Sequence, residues 1–211
     1  MFRLLIITIA LMTASLAAAA DDPPQLQEEV WALPLPLPTI AYVVRPVGDG
    51  PFPLAIMNHG VAMDPKQRSF FPLVEFRDAA MWFARRGYMV VAPSGSYGAA
   101  ALEDAEAGLF SGAFFSKVGK CSNPNFHDAG RAVAKLNLWI IEYMSTLKRI
   151  VPNNVIVVGQ SAGGWASIAL SSVNPPPGVK AIITFAAGRG GRVDGKPNNN
   201  CAPDKLVEAT G

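Results

Sequence analysis

The serine framed by glycines at the end of an apolar run is the strongest chemical signal in this sequence. Val155–Gly164 reads Val-Ile-Val-Val-Gly-Gln-Ser-Ala-Gly-Gly. Four β-branched residues run into Gly159 and Gln160, Ser161 stands at the apex, and Ala162, Gly163 and Gly164 follow. The small-residue stretch Trp165–Leu170 behind them reads as a helix. A buried strand therefore turns sharply and leaves as a helix. So tight a turn holds its serine in a strained backbone conformation, and side chains at 159 and 163 would collide with the strand and helix around them. It exposes the Ser161 hydroxyl for nucleophilic attack. It also aims the first helix amides, starting with that of Ala162, at the space where an anionic tetrahedral intermediate would sit.

A Gly-Ser turn after a buried strand can also be only a turn, so the elements around it matter. Ile40–Arg45 has strand composition. Leu54–Met57 is a short buried strand that ends in Asn58-His59-Gly60. Leu73–Arg86 carries Leu73, Phe76, Ala80 and Phe83 at helical spacing and stops at Gly87, a natural C-cap. Tyr88–Ala92 is another apolar strand, closed by Pro93. Asp128–Arg149 is the longest predicted helix, with an apolar stripe through Val133, Leu136, Ile140, Tyr143, Met144 and Leu147, and Lys148-Arg149 at its C-terminal end. Pro152 separates it from the elbow strand, and Val179–Phe185 is the last strand. Asp21–Pro38 is Pro-rich and expected to be extended along a surface or an edge. Short apolar strands alternating with amphipathic helices give an α/β fold, a mostly parallel sheet with helices on both faces. We read residues 21–211 as one domain. Ligands in such sheets bind beyond the carboxyl ends of the strands. His59-Gly60, Ser94–Gly98, Ser161 and Ala187–Gly190 should converge there, with the loops of 94–127 shaping the pocket.

Residues 1–20 read as a secretory signal peptide rather than structure. Arg3 is the positive end, Leu4–Met12 the apolar run and Ala18-Ala19-Ala20 the cleavage site. An exported, periplasmic or extracellular protein is expected. Of the 211 residues 50% are hydrophobic and only 16% charged, which marks a globular chain. A formal charge of +2, with no basic run longer than Arg85-Arg86 or Lys148-Arg149, excludes a nucleic-acid partner or a membrane surface as the expectation. The two cysteines, Cys121 and Cys201, read as one disulfide in an exported protein, and closing so long a loop contributes about 4 kcal/mol. Two free thiols are the alternative. No C-x-x-C or histidine cluster points to a metal.

Taken together, these stretches resemble the α/β-hydrolase superfamily, and most closely its dienelactone-hydrolase-like and prolyl-oligopeptidase-like exported members. The matching pieces are Leu-Ala-Ile-Met-Asn-His-Gly at 54–60, Phe-Ala-Arg-Arg-Gly-Tyr-Met-Val-Val-Ala-Pro at 83–93, Val-Val-Gly-Gln-Ser-Ala-Gly-Gly at 157–164 and Ile-Thr-Phe-Ala-Ala-Gly-Arg-Gly at 183–190. They span about residues 40 to 190 in the family's order. The resemblance implies Ser161 as nucleophile and the Ala162 amide as one oxyanion donor. It implies the Val61 amide, in the loop after His59-Gly60, as the other donor. His59 would orient that loop, Gly159, Gln160, Gly163 and Gly164 would support the elbow, and Tyr97 would line the pocket. The implied activity is hydrolysis of carboxylic esters or related small acyl compounds through an acyl-serine, with no cofactor.

One departure from the family pattern is large. The family orders its triad as serine, then carboxylate, then histidine, yet only His59 and His127 occur here and both precede Ser161. The later carboxylates are Asp194, Asp204 and Glu208. The expectation is a chain truncated at its C-terminus, corresponding to the first two-thirds of a serine hydrolase and inactive by itself, with an apolar sheet edge left open. The alternatives are a non-catalytic binding protein on the same scaffold and a prolyl-oligopeptidase-like peptidase.

Overall fold

The apolar runs become strands because neighbouring strands and helices bury them on both faces. In the computed structural model, the described residues are 24–36, 39–60, 73–93, 123–174, 178–188, 193, 196 and 198–208. Six strands, β1 (Leu26–Leu33), β2 (Thr39–Pro46), β3 (Phe52–Asn58), β4 (Met89–Pro93), β5 (Ile150–Gln160) and β6 (Val179–Phe185), form one sheet in the order β1-β2-β4-β3-β5-β6. The pairs β4–β3, β3–β5 and β5–β6 are parallel, whereas β1–β2 and β2–β4 are antiparallel. The sheet is therefore mixed, with its parallel half around the elbow strand.

Successive residues of the central strands serve opposite faces. Leu54, Ile56, Val155 and Val157 pack with Leu136, Ile140 and Met144 of helix α2 (Phe126–Ser145). Ala55, Met57, Ile156 and Val158 pack with Phe76, Ala80 and Ala84 of helix α1 (Leu73–Ala84). Helix α3 (Ala162–Ala169) leaves the elbow on the α2 side and runs into a 3₁₀ turn at Leu170–Val173. A short helix, α4 (Pro203–Glu208), follows β6.

α1 is also tied to the antiparallel half. One edge of the Arg77 guanidinium donates twice to Glu28 of β1, from Nη2 at 2.6 Å and Nε at 2.8 Å, and the Tyr42 hydroxyl donates to the same carboxylate at 2.6 Å. The Arg77 guanidinium, then the Tyr42 hydroxyl, holds the Glu28 carboxyl below the usual carboxylate range. Burial, then the hydrogen bond to Glu28, pushes the Tyr42 phenol above its ordinary value.

Several boundaries differ from the sequence reading, each for a local reason. The Pro-rich stretch contains a full strand, β1, at the sheet edge; its prolines at 34 and 36 follow the strand instead of interrupting it. Pro152 lies within β5, exposed, beside the register shift between Phe52 and Leu54 of its partner, where a missing ladder donor is tolerated. α2 starts at Phe126 and ends at Ser145, so Lys148-Arg149 fall in the connection to β5, beyond the helix. There the Arg149 carbonyl accepts from the Phe52 amide. Gly87 has φ +90°, as a C-cap position requires. The signal segment 1–20 and residues Val61, Tyr97 and Cys121 lie outside the described residues.

Candidate active site

The elbow forms as its glycines require. Ser161 has φ 51° and ψ −121°, a region that a residue with a side chain enters only under constraint. A Cβ on Gly159 would overlap the Gly163 carbonyl, and one on Gly163 would overlap the carbonyl of Asn58. A Cβ on Gly164 would press on Ala187 and the Gly159 carbonyl, both at 3.1 Å. Strand and helix thus approach backbone to backbone, and only glycine permits it.

Three backbone bonds hold the strained residue. The Ser161 amide donates to the Phe185 carbonyl at 2.9 Å, and the Ser161 carbonyl accepts from the amides of Trp165 and Gly188 at 3.0 and 3.1 Å. Two of these bonds go to the end of β6 and the turn after it, so that turn clamps the elbow. Ser161 occupies the N-cap position of α3 yet makes no capping hydrogen bond with its side chain. A structural N-cap serine would satisfy a helix amide with its hydroxyl; this one is half-buried and leaves the hydroxyl to the rim. The first turn of α3 itself carries no acidic residue to offset the positive end of the helix. Ala162, almost fully buried, begins that turn.

The loop after β3 stands directly against the serine. A Cβ on Gly60 would lie 3.1 Å from the Ser161 Cβ and 3.7 Å from its Oγ. His59 is 7% exposed, and its Nδ1 donates to the Gly60 carbonyl at 2.6 Å. That bond commits one ring nitrogen to the loop backbone, a geometry suited to orienting the loop. His127 is exposed in the first turn of α2. Gln160 is exposed at the end of β5 and reaches the rim of an apolar groove of about 650 Å³ between α1 and the sheet. Met57, Phe76, Trp82, Val158 and Phe185 line this groove.

The structure therefore brings together Ser161, Ala162, Gly159, Gly163, Gly164, His59 and Gly60, and adds the turn after β6 through Ala187 and Gly188. Asp204 and Glu208 are exposed on α4, and Asp194 lies outside the described residues. Cys201 is buried. Lys205 Nζ donates to Asn123 Oδ1 at 2.6 Å, which joins the stretch that follows Cys121 to the stretch that follows Cys201.

The sequence reading missed a buried polar chain behind the elbow. Asn58 Nδ2 donates to Asn137 Oδ1 at 3.1 Å and to Ser167 Oγ at 2.9 Å, and Ser167 Oγ donates to the Gly163 carbonyl at 2.8 Å. The available signal was an asparagine in the otherwise apolar face of α2 beside Leu136 and Ile140.

No family model matches the chain, and a search of curated proteins also finds no match. Among solved structures it is similar to a protein from Klebsiella pneumoniae assigned to the dienelactone hydrolases. The TM-score is 0.53 at 16% identity, over 88% of this chain and 79% of that one. Two looser likenesses, which carry no argument, are to dipeptidyl peptidase 4 of Porphyromonas gingivalis and carboxyl esterase 2 of Tuber melanosporum. Their TM-scores are 0.49 and 0.48 and both are 18% identical, over 76% and 79% of this chain. The chain spans 20% of the first of these and 47% of the second. The fold is that of the α/β-hydrolases.

Proposed function

We propose that this chain is the nucleophile-bearing domain of an exported serine hydrolase that cleaves carboxylic esters or related small acyl compounds. The observation that carries this reading is the strained Ser161, its side chain making no cap hydrogen bond, between the Gly60 loop and the N-terminus of α3. A serine kept at φ 51° with its hydroxyl withheld from the helix cap costs stability, which a purely structural turn has no reason to accept. In this mechanism Ser161 Oγ attacks the carbonyl carbon and the carbonyl oxygen gains the negative charge. The amides of Ala162 and Val61 donate to that oxygen. The alcohol leaves with the proton that Ser161 gave up, and water then adds to the acyl carbon, releasing the carboxylic acid and returning a proton to Ser161 Oγ.

The proton on Ser161 needs an acceptor, and neither histidine of this sequence is given that role. His59 is committed to Gly60, and His127 precedes the serine at the start of α2. Without a base, acyl transfer by these 211 residues alone falls by several orders of magnitude.

A fluorophosphonate probe applied to purified protein and to Ser161→Ala tests the assignment. Labelling in wild type that disappears in the variant supports an activated Ser161, and His59→Ala and His127→Ala then identify its base. A folded wild-type sample that stays unlabelled even with added imidazole as an external base overturns the nucleophile assignment and leaves the binding protein. We extend the proposal to export through residues 1–20, with a mature chain that begins at Asp21, and to a Cys121–Cys201 disulfide. The Lys205–Asn123 bond, which joins the flanks of the two cysteines, supports that pairing.

A further inference from the structure

We propose that Asn58 is a positioning residue that sets the spacing between the oxyanion loop and the nucleophile elbow through Ser167 and Asn137; this rests on the reading of Ser161 as nucleophile. Asn58 is the last residue of β3 and immediately precedes His59-Gly60, the stem of the loop that stands against Ser161. Its side chain is 1% exposed and points to the α2 face, like Leu54 and Ile56 four and two residues earlier. Both amide hydrogens are used there, one on Asn137 Oδ1 of α2 and one on Ser167 Oγ of α3. Asn137 and Ser167 are 1% and 0% exposed, so all three groups are shut away from water.

The chain continues into the elbow itself. Ser167 Oγ donates its hydrogen bond to the Gly163 carbonyl one helical turn earlier, and a Cβ on Gly163 would overlap the carbonyl of Asn58. Asn58 therefore meets α3 at two levels, its backbone carbonyl leaving no room for a side chain at Gly163 in the first turn and its side chain bonding Ser167 one turn later. Buried donors without partners are strongly disfavoured, so the three side chains lock one another in a single arrangement. An apolar residue at 58 would fill the same space without fixing how far the loop stem stands from α3. The polar chain supplies that distance, and with it the separation between the Ser161 hydroxyl and the amides that would receive the oxyanion.

The test compares Asn58→Leu, Ser167→Ala and the double variant with Val43→Ala, a buried lesion in β2 away from the elbow. Hydrogen exchange is read at the amides of Ser161, Trp165 and Gly188, whose bonds define the elbow. Exchange at these three amides is expected to rise about tenfold or more in Asn58→Leu and Ser167→Ala, with the double variant no worse than the worse single one. In Val43→Ala they should move only as much as the rest of the sheet. Where wild type labels with fluorophosphonate, the labelling rate at Ser161 should fall with the same pattern. Equal exchange in all variants at matched stability, or additive effects of the two elbow substitutions, overturns the assignment. Ser167→Ala deletes a single hydroxyl, so the comparison stands if Asn58→Leu does not fold. A wild type that does not label even with added imidazole defeats the nucleophile assignment, while exchange still decides whether Asn58 positions the elbow.

Discussion

Ser161 trades stability for exposure of its hydroxyl. Its φ of 51° and ψ of −121° cost a residue with a Cβ on the order of 1 kcal/mol or more. Ser161→Gly removes that strain and is expected to raise the denaturant midpoint, with a gain of about 1 kcal/mol, while abolishing any fluorophosphonate labelling. The glycines around it predict opposite outcomes for one chemical change. Gly163→Ala drives a methyl group into the Asn58 carbonyl, backbone against backbone, and should cost about 3 kcal/mol or prevent folding. Gly188→Ala meets nothing within 4 Å among the described residues and should fall within about 0.5 kcal/mol of wild type in the same denaturation experiment. Equal effects of the two substitutions would contradict the elbow geometry. The glycine requirement at 159 and 163 is legible in the sequence because a G-x-S-x-G turn between strand and helix has few geometries. The role of Asn58 is not, since its partners at 137 and 167 meet it only after three elements have packed.

At the scale of elements, α1 is held to the antiparallel half of the sheet by one carboxylate. Glu28 is ionised more readily in the folded chain than in the unfolded one, so its contribution is present above the unfolded value of about 4.5. It is lost as pH falls through the lower folded value. The stability gap between wild type and Glu28→Gln should therefore be widest near neutrality and close on acidification; melting curves between pH 7 and pH 3 would show it. A gap that stays constant would show that the Arg77 pair contributes nothing through charge, as many exposed pairs do. Tyr42 works in the other direction. Its folded phenol titrates above the ordinary value of 10.0, so stability present below pH 10 is lost as pH rises beyond it. Tyr42→Phe should flatten that alkaline loss. The strand that supplies Glu28 was hidden in sequence by the prolines after it, and the paired partner Arg77 is 49 residues away.

For the whole molecule, the two sheet edges differ. β1 presents Gln27, Glu28 and Glu29, polar groups that discourage pairing with another chain. Among the described residues β6 is the outermost strand on the other side, with Ile183 37% and Phe185 58% exposed. Such an edge favours self-association, and Ile183→Lys with Phe185→Lys should raise the concentration at which light scattering appears. No change in that onset would show the edge to be harmless in solution. The proposed Cys121–Cys201 bond acts at the same scale. Reduction should lower stability by up to about 4 kcal/mol, and alkylation before reduction should modify no cysteine.

By itself, the sequence determined the elements whose signal is local. The strands at 54–57 and 179–185, the helix ending at Gly87 and the serine turn at 159–164 all follow from short-range pattern, because periodicity and glycine stereochemistry need no distant partner. The α/β architecture followed from their alternation. Tertiary structure alone decided the mixed character of the sheet, the place of Pro152 inside β5 and the early end of α2. It also decided the backbone clamp from Phe185 and Gly188 on Ser161 and the buried chain from Asn58 to Gly163. The last two join groups tens of residues apart through single hydrogen bonds or contacts. No window of sequence records such a pairing, because its energy exists only once the elements have met.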